Sequence, residues 1–242
     1  MYTERDIIDF HAHVLPCADH GSDSVDTTVF QLSSAAAAGV RCIIATPHFY
    51  PTCHSVESFL ARRDEAYENL RPRLTPDMPE IILGAEVLMC HGIERLDGLS
   101  SLCVAGTRVL LLELPYSDFS ESYVQSVRNL TKDGYEVVLA HAERYHPENI
   151  EEMVRAGAKI QLNAGALSGL FVDRTVSSWV DRGIVVALGS DIHMRDPSAY
   201  KRFVKARAKL GKVNDVAAAF GNGLLRASQS ENEQVQEYLQ PG

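Results

Sequence analysis

Seven apolar runs punctuate this chain, and each ends on a polar side chain. In order, DIIDF leads into His11 and His13, CIIATP into His48, IILGA into Glu86, VLLL into Glu113, VVLA into His141, IQL into Asn163, and VVALGS into Asp191 and His193. A strand covered on both faces reads as a continuous apolar run and tolerates a polar residue only where it leaves the core. Helical patterns lie between the runs. SVDTTVFQLSSAAAAG has Ser24 placed to cap it and Gly39 to stop it, and SVESFLARRDEAYENLR opens on Ser55 with Ser58, not Glu, three residues on. Further helices are expected over 120–132, 147–156, 171–182, 197–210 and 213–228, and HGIERLDGLSS reads as a partly helical insertion.

Strand and helix alternate throughout, which implies a parallel sheet with helical crossovers. Seven strands, one short of the usual eight, predict an α/β fold of the irregular (β/α)7 TIM-like barrel kind. In such a barrel the strand C-termini converge on one face, so residues distant in sequence become neighbours there. His11 and His13 are two apart, as are Asp191 and His193, and i, i+2 residues of a strand share a face. The expected result is a metal site at the strand C-terminal face.

The length of 242 residues suits one barrel-sized domain, taken as 1–228, followed by a polar tail over 229–242 that is expected to be mobile. Tyr238 in that tail is a candidate phosphorylation site. The start, MYTERDII, lacks a basic-then-apolar leader, and no apolar run approaches the ~20 residues of a membrane span. A cytoplasmic protein without membrane insertion is expected. Five cysteines (Cys17, Cys42, Cys53, Cys90 and Cys103) are an odd number without paired spacing, which suits a reducing compartment. Most are expected to be small buried apolar side chains, and Cys53-His54 and Cys90-His91 ordinary loop residues. The net charge of −9 argues against a nucleic-acid partner, since phosphate binding usually shows as a basic stripe. A homo-oligomer is left open.

Imidazoles and carboxylates collected at one rim, with no cluster of thiols, describe a site for two or three divalent ions such as Mn²⁺, Fe²⁺ or Zn²⁺. Two such ions can lower the pKa of a bridging water and align it with a phosphorus atom. No cysteine here has an arginine at the offset that cysteine-dependent tyrosine phosphatases need, and no G-x-x-x-x-G-K-[ST] loop is present. Metal-assisted hydrolysis is the chemistry these residues fit. Arg144 is the first candidate for a phosphate oxygen, because a guanidinium fork matches phosphate geometry, and Arg195 is the second. A salt bridge to Glu143 is the plainer role for Arg144. Phe49, Tyr50 and Tyr116 follow strand ends and could face an aromatic substrate or cap the core.

H-A-H, T-P-H-F, G-A-E, E-L-P, A-H-A-E-R-Y and S-D-I-H, in that order, resemble the PHP (polymerase and histidinol phosphatase) superfamily from about Asp6 to Ser228. Within it, L-P-x-x-D-x-G, G-A-E-V, L-L-L-E-L-P, A-H-x-E-R-Y and L-N-A-G most resemble the manganese-dependent tyrosine-protein phosphatases encoded with bacterial capsule and exopolysaccharide systems. The resemblance implies His11, His13, Glu113 and Asp191 around one ion, Glu86, Glu113 and His141 around a second, and His48, His193 and position 20 around a third. Glu113 would bridge two ions, and Arg144, Glu113 and His48 would be catalytic. This chain reads Asp19-His20-Gly21 where the family usually has Asp-Asp-Gly. His20 then replaces a carboxylate ligand by a neutral one, with Asp19 the nearest substitute if His20 turns away. The implied partner is a phosphotyrosine protein, in particular a bacterial tyrosine kinase. A small-molecule phosphatase, such as one for histidinol phosphate, and a non-catalytic PHP scaffold are the alternatives.

Overall fold

The computed structural model describes residues 7–116 and 119–210. The helix expected over 213–228, the tail 229–242 and Tyr238 lie outside the described residues. Among the described residues there are nine parallel strands: β1 (Ile7–Ala12), β2 (Val40–Ala45), β3 (His48–Phe49), β4 (Glu80–Leu83), β5 (Glu86–Leu88), β6 (Val109–Glu113), β7 (Glu136–Leu139), β8 (Lys159–Asn163) and β9 (Val185–Gly189). They form two sheets, β1-β2-β4 and β3-β5-β6-β7-β8-β9.

The two extra strands come from breaks in two of the apolar runs. Pro47, which lacks an N–H to give to a ladder, separates β2 from β3, and Gly84-Ala85 separate β4 from β5. Hydrogen bonds still span the breaks, from Thr46 N–H to Ala12 C=O, Gly84 N–H to Ala45 C=O and Glu86 N–H to Pro47 C=O. Beyond β9, the Asp191 N–H donates to His11 C=O and the His13 N–H to Ile192 C=O, so the last strand region is tied to the first. The mixed, parallel α/β architecture is as expected. The circuit is joined at these irregular points and not by regular pairing of β9 with β1.

Among the described residues six α-helices lie between strands, α1 (Val25–Ala37), α2 (Val56–Leu70), α3 (Glu121–Lys132), α4 (Pro147–Arg155), α5 (Ala164–Ser168) and α6 (Arg174–Asp181), and α7 (Ala199–Leu210) follows β9. Ser24 caps α1 by accepting from Thr27 N–H, and Ser55 caps α2 by accepting from Ser58 N–H. Gly39, at φ +81, turns the chain after α1. The helix expected over 171–182 is shorter, starting after its Asp173 cap, and α5 precedes it. The insertion after β5 contains two 3₁₀ turns, Ile93–Arg95 and Leu99–Leu102, in keeping with its partly helical pattern.

Two apolar clusters hold these layers. The larger joins the helices to the strands and includes the fully buried Trp179, Phe203, Phe49 and Phe59. The smaller draws on no helix: Ile8, Phe10, Cys42, Ile44, Ile82, Val104, Val109, Leu111, Val138, Ala140, Val186 and Ala187. Val109 and Leu111 lead at alternate positions of β6 to Glu113, so the apolar strand packing runs directly up to the polar rim. Of the cysteines, Cys42 and Cys103 are buried while Cys17 and Cys53 are exposed, so burial holds for fewer than expected.

Candidate metal centre

The polar ends of β1, β3, β5, β6, β7 and β9 meet in one cavity of about 340 Å³, lined by His20, His48, Tyr50, Glu86, Glu113, Tyr116, His141, Arg144, Asp191 and His193. His11 and His13 are buried against two of these lining residues, Glu86 and Asp191. Close backbone approach makes this possible. A Cβ on Gly21 would fall 2.0 Å from the His13 Cβ, and one on Gly189 would fall 2.6 Å from the His11 Cβ, so only glycine fits at either point. His141 (φ 32) and Asp191 (φ 49) sit in the left-handed region, a strain of roughly 1–2 kcal/mol each that recurs at functional sites.

Glu86 is fully buried at the centre. Its carboxylate lies 2.7 Å from His141 Nε2, 3.0 Å from His48 Nδ1, 3.2 Å from His11 Nε2 and 3.3 Å from His13 Nε2. Glu113, expected to bridge, is peripheral by comparison, 3.6 Å from His141 and 3.8 Å from His48. Three groups offer ligand atoms within 4.8 Å of one another: His11, His13 and Asp191; His48, Glu86 and Glu113; and His13, His48 and His193. Glu113 therefore joins His48 and Glu86, not His11 and His13.

Position 20 and its neighbour take different roles. The exposed His20 stacks on His48 and lies beside His193, with ring centroids 4.8 and 4.9 Å away. Asp19 joins none of the three ligand groups. One of its oxygens faces His13 Nδ1 at 2.7 Å and accepts from the His48 N–H, and the other accepts from the Gly21 N–H. It orients His13 and ties the loop to β3.

These residues fit divalent ions. The His11 and His13 Nε2 atoms are 3.1 Å apart, while their Nδ1 atoms face the Gln161 Oε1 and Asp19 acceptors. Both Nε2 atoms lie against the Glu86 and Asp191 carboxylates, where a divalent ion can replace the protons that the two rings carry in its absence. Glu86 Oε2 and His48 Nδ1 are also buried without hydrogen-bond partners despite their closeness. All donors are nitrogen or oxygen, a set suited to Mn²⁺, Fe²⁺ or Zn²⁺.

The electrostatics follow from burial and crowding. Burial and the Glu86 charge push the Glu113 carboxyl up to about 7. Burial alone would raise the Glu86 and Asp191 carboxyls, but the charge of His11 and the closeness of the His13 ring override it and hold both well below the usual range. Burial would lower His11, yet the charges of Glu86 and Asp191 carry it up to about 9. Burial and the His13 charge bring His193 down to about 4.

Arg144 reaches the mouth from the 3₁₀ turn after β7. It pairs with Asp191, not Glu143, and donates to the Tyr116 hydroxyl at 3.3 Å. Arg195 is elsewhere: its Nε donates to Thr27 Oγ1 and its guanidinium lies over the Phe30 ring, so the geometry does not bring it to the cavity. Phe49 is a core residue packed edge-on against Phe59, whereas Tyr50 stacks on His48 and Tyr116 is 73% exposed beside the opening. Cys53-His54 and Cys90-His91 join none of the three ligand groups.

Three supporting residues escaped the sequence reading. Buried Asp9 accepts from the Ser190 and His11 N–H groups and the Tyr200 hydroxyl. Gln161 touches both His11 and His141, and the Tyr145 hydroxyl lies 3.3 Å from His141 Nδ1. The available signal was a polar residue inside an apolar strand, which must find partners to be buried there.

Comparison with known proteins gives a consistent outcome. The chain is 29% identical over 198 residues to the tyrosine-protein phosphatase YwqE of Bacillus subtilis (strain 168), covering 77% of each chain. It is 24% identical over 234 residues, 90% of each, to CapC of Staphylococcus aureus, provisionally named a tyrosine-protein phosphatase. The fold is shared with a chain from the crystal structures of YwqE from Bacillus subtilis and CpsB from Streptococcus pneumoniae, described as metal-dependent tyrosine phosphatases. That match has a TM-score of 0.72 at 21% identity, over 92% of this chain and 94% of the other. The sequence profile of the capsular polysaccharide synthesis family CpsB/CapC matches residues 7–218, and the chain belongs to that family.

Proposed function

We propose that this protein is a metal-dependent phosphatase that hydrolyses phosphotyrosine in proteins, acting on a tyrosine kinase of a capsule or exopolysaccharide system. The observation that carries the chemistry is the buried pair of imidazole nitrogens beside Glu86, a donor set that calls for cations. The tyrosine specificity and the capsule setting draw support from the family and from the relatives' names.

His11, His13 and Asp191 would hold one ion, and His48, Glu86 and Glu113 a second, with His141 beside Glu86. His193, with His13 and His48, would hold a third, and His20 stands next to it. Mn²⁺ is the first choice, with Fe²⁺ or Zn²⁺ as alternatives. Bound divalent ions would supply Lewis-acid activation of water and neutralise phosphate charge. Arg144 is placed to turn from Asp191 toward a phosphate oxygen, where its fork gives two directed hydrogen bonds. Tyr50 and Tyr116 offer ring faces at the opening for a phenyl leaving group. A phenolate, with a pKa of about 10, leaves with modest proton assistance, which the rim imidazoles His193 or His20 can provide.

The five unpaired cysteines support a cytoplasmic setting. Among the described residues no helix is long and apolar enough to cross a membrane. The proposal is tested by measuring metal content and phosphotyrosine-peptide turnover together for the wild type, Glu86→Gln and Glu113→Gln. Two or three ions per chain with turnover in the wild type, and loss of both in Glu86→Gln, are expected. Full metal content and full activity in both variants would refute the site.

A further inference from the structure

We infer that Gln161 is a positioning residue that holds the His11 ring, the His141 backbone and, through Asn163, the Asp191 carboxylate at once, so that one buried amide sets the cation affinity of the centre. The inference rests on the metal reading proposed above. Gln161 lies on β8 and is fully buried.

The orientation of its amide follows from the chain's own backbone. The His141 N–H is an unambiguous donor, and it reaches one end of the Gln161 amide at 2.7 Å, so that end is the oxygen. The other end is therefore the NH₂, which donates to Asn163 Oδ1 at 2.9 Å. Asn163 is then oriented in turn, and its Nδ2 donates to Asp191 Oδ2 at 2.7 Å. The same Gln161 oxygen lies 3.1 Å from His11 Nδ1. Facing an acceptor, that nitrogen keeps its proton, which leaves Nε2, beside Glu86 and His13, as the nitrogen that gives up its proton to a bound ion.

One backbone donor thus determines the direction of four hydrogen bonds. They present His11 through Nε2, hold the strained backbone of His141 and fix the Asp191 carboxylate. Supporting groups of this kind set ligand tautomer and orientation, and their loss typically costs 10–100-fold in metal affinity. Gly189 makes room for the arrangement, since a Cβ there would lie 2.6 Å from both Gln161 Nε2 and the His11 Cβ.

The test compares wild type, Gln161→Leu, Gln161→Glu and Asn163→Ala by Mn²⁺ titration against a chelator and by ¹⁵N NMR of the histidine rings in Zn²⁺-loaded protein. Gln161→Leu is expected to lose roughly 10–100-fold in Mn²⁺ affinity and the Nδ1–H signature of His11. Gln161→Glu keeps an acceptor for His11 and His141 but cannot donate to Asn163, so it is expected to keep the His11 signature and lose less affinity. Asn163→Ala should lose affinity with the His11 signature intact. Wild-type affinity in Gln161→Leu overturns the inference. If that variant does not fold, wild-type affinity in Asn163→Ala or a changed His11 tautomer in Gln161→Glu overturns it instead. A wild type that binds no metal sinks the metal reading itself and is told apart by that control.

Discussion

Replacing Gly21 by alanine should damage the site with little change in composition. The added Cβ would stand 2.0 Å from the His13 Cβ, 2.8 Å from the His13 carbonyl oxygen and 3.0 Å from Asp19 Oδ1. Ordinary carbon contacts begin near 3.5 Å, so the loop and β1 must separate by about 1.5 Å. The loop cannot yield freely, because the Gly21 carbonyl accepts from the Met194 N–H and from Gln31, and Asp19 binds both His13 and the His48 N–H. Overpacking of this kind costs about 1–3 kcal/mol. A displacement of about 1 Å at a reacting geometry can cost ~10²-fold in rate, so a loss of that size in kcat/KM on a phosphotyrosine peptide is expected. Gly165→Ala is the matched control, since nothing lies within 4 Å of its Cβ position in α5. It should be neutral or stabilising by about 0.4–1 kcal/mol. Thermal melts, Mn²⁺ titration and steady-state kinetics on both variants decide the matter. Wild-type stability and turnover in Gly21→Ala, or equal damage in Gly165→Ala, would refute the reasoning.

Four more outcomes are expected. Arg144→Ala should retain its metal, seen by elemental analysis, while losing about 10²–10³-fold in turnover, the usual effect of removing one directed donor to a developing charge; Arg195→Ala should keep wild-type kinetics. Mn²⁺ loading at pH 7 should release protons, because His11 sits at about 9 in the metal-free state, where burial lowers it but the Glu86 and Asp191 charges prevail. Ligand nitrogens must be deprotonated, so apparent affinity should rise with pH toward 9 and fall as pH drops, read by calorimetry in buffers of different ionisation enthalpy. Ser24→Ala removes the cap on the Thr27 N–H and should lower stability by about 1 kcal/mol in denaturant titration, with kinetics unchanged. Trp179→Ala should cost about 3–5 kcal/mol, because the ring is fully buried and its indole N–H donates to Glu151.

The rim of the site was legible because burial on both strand faces forces apolar runs, and the first polar residue after each run marks the exit from the core. His11, His48, Glu86, Glu113, His141 and Asp191 were found that way, and the structure brings them together. Arg195 was misplaced because sequence proximity to Asp191 and His193 says nothing about direction. Met194, at φ 50, turns the chain so that Arg195 lies against α1. Asp19 was read as a reserve ligand, whereas its hydrogen bonds to His13 and two backbone amides depend on a tertiary contact with no local pattern. Gln161 and Asp9 were hidden inside apolar strings because their partners lie up to 191 positions away in sequence. The strand breaks at Pro47 and Gly84 divided two runs that read as continuous, since a short interruption leaves the apolar pattern nearly intact.

The central claim is metal-dependent hydrolysis of protein phosphotyrosine. Its most direct test is metal-depleted protein restored with Mn²⁺, Fe²⁺, Zn²⁺ or Mg²⁺ and offered a phosphotyrosine peptide, a phosphoserine peptide and histidinol phosphate side by side. The account predicts no turnover without metal, and with Mn²⁺ a turnover of the phosphotyrosine peptide well above that of the other two. Preference for histidinol phosphate, or tight metal binding with no turnover of any phosphoester, would contradict it.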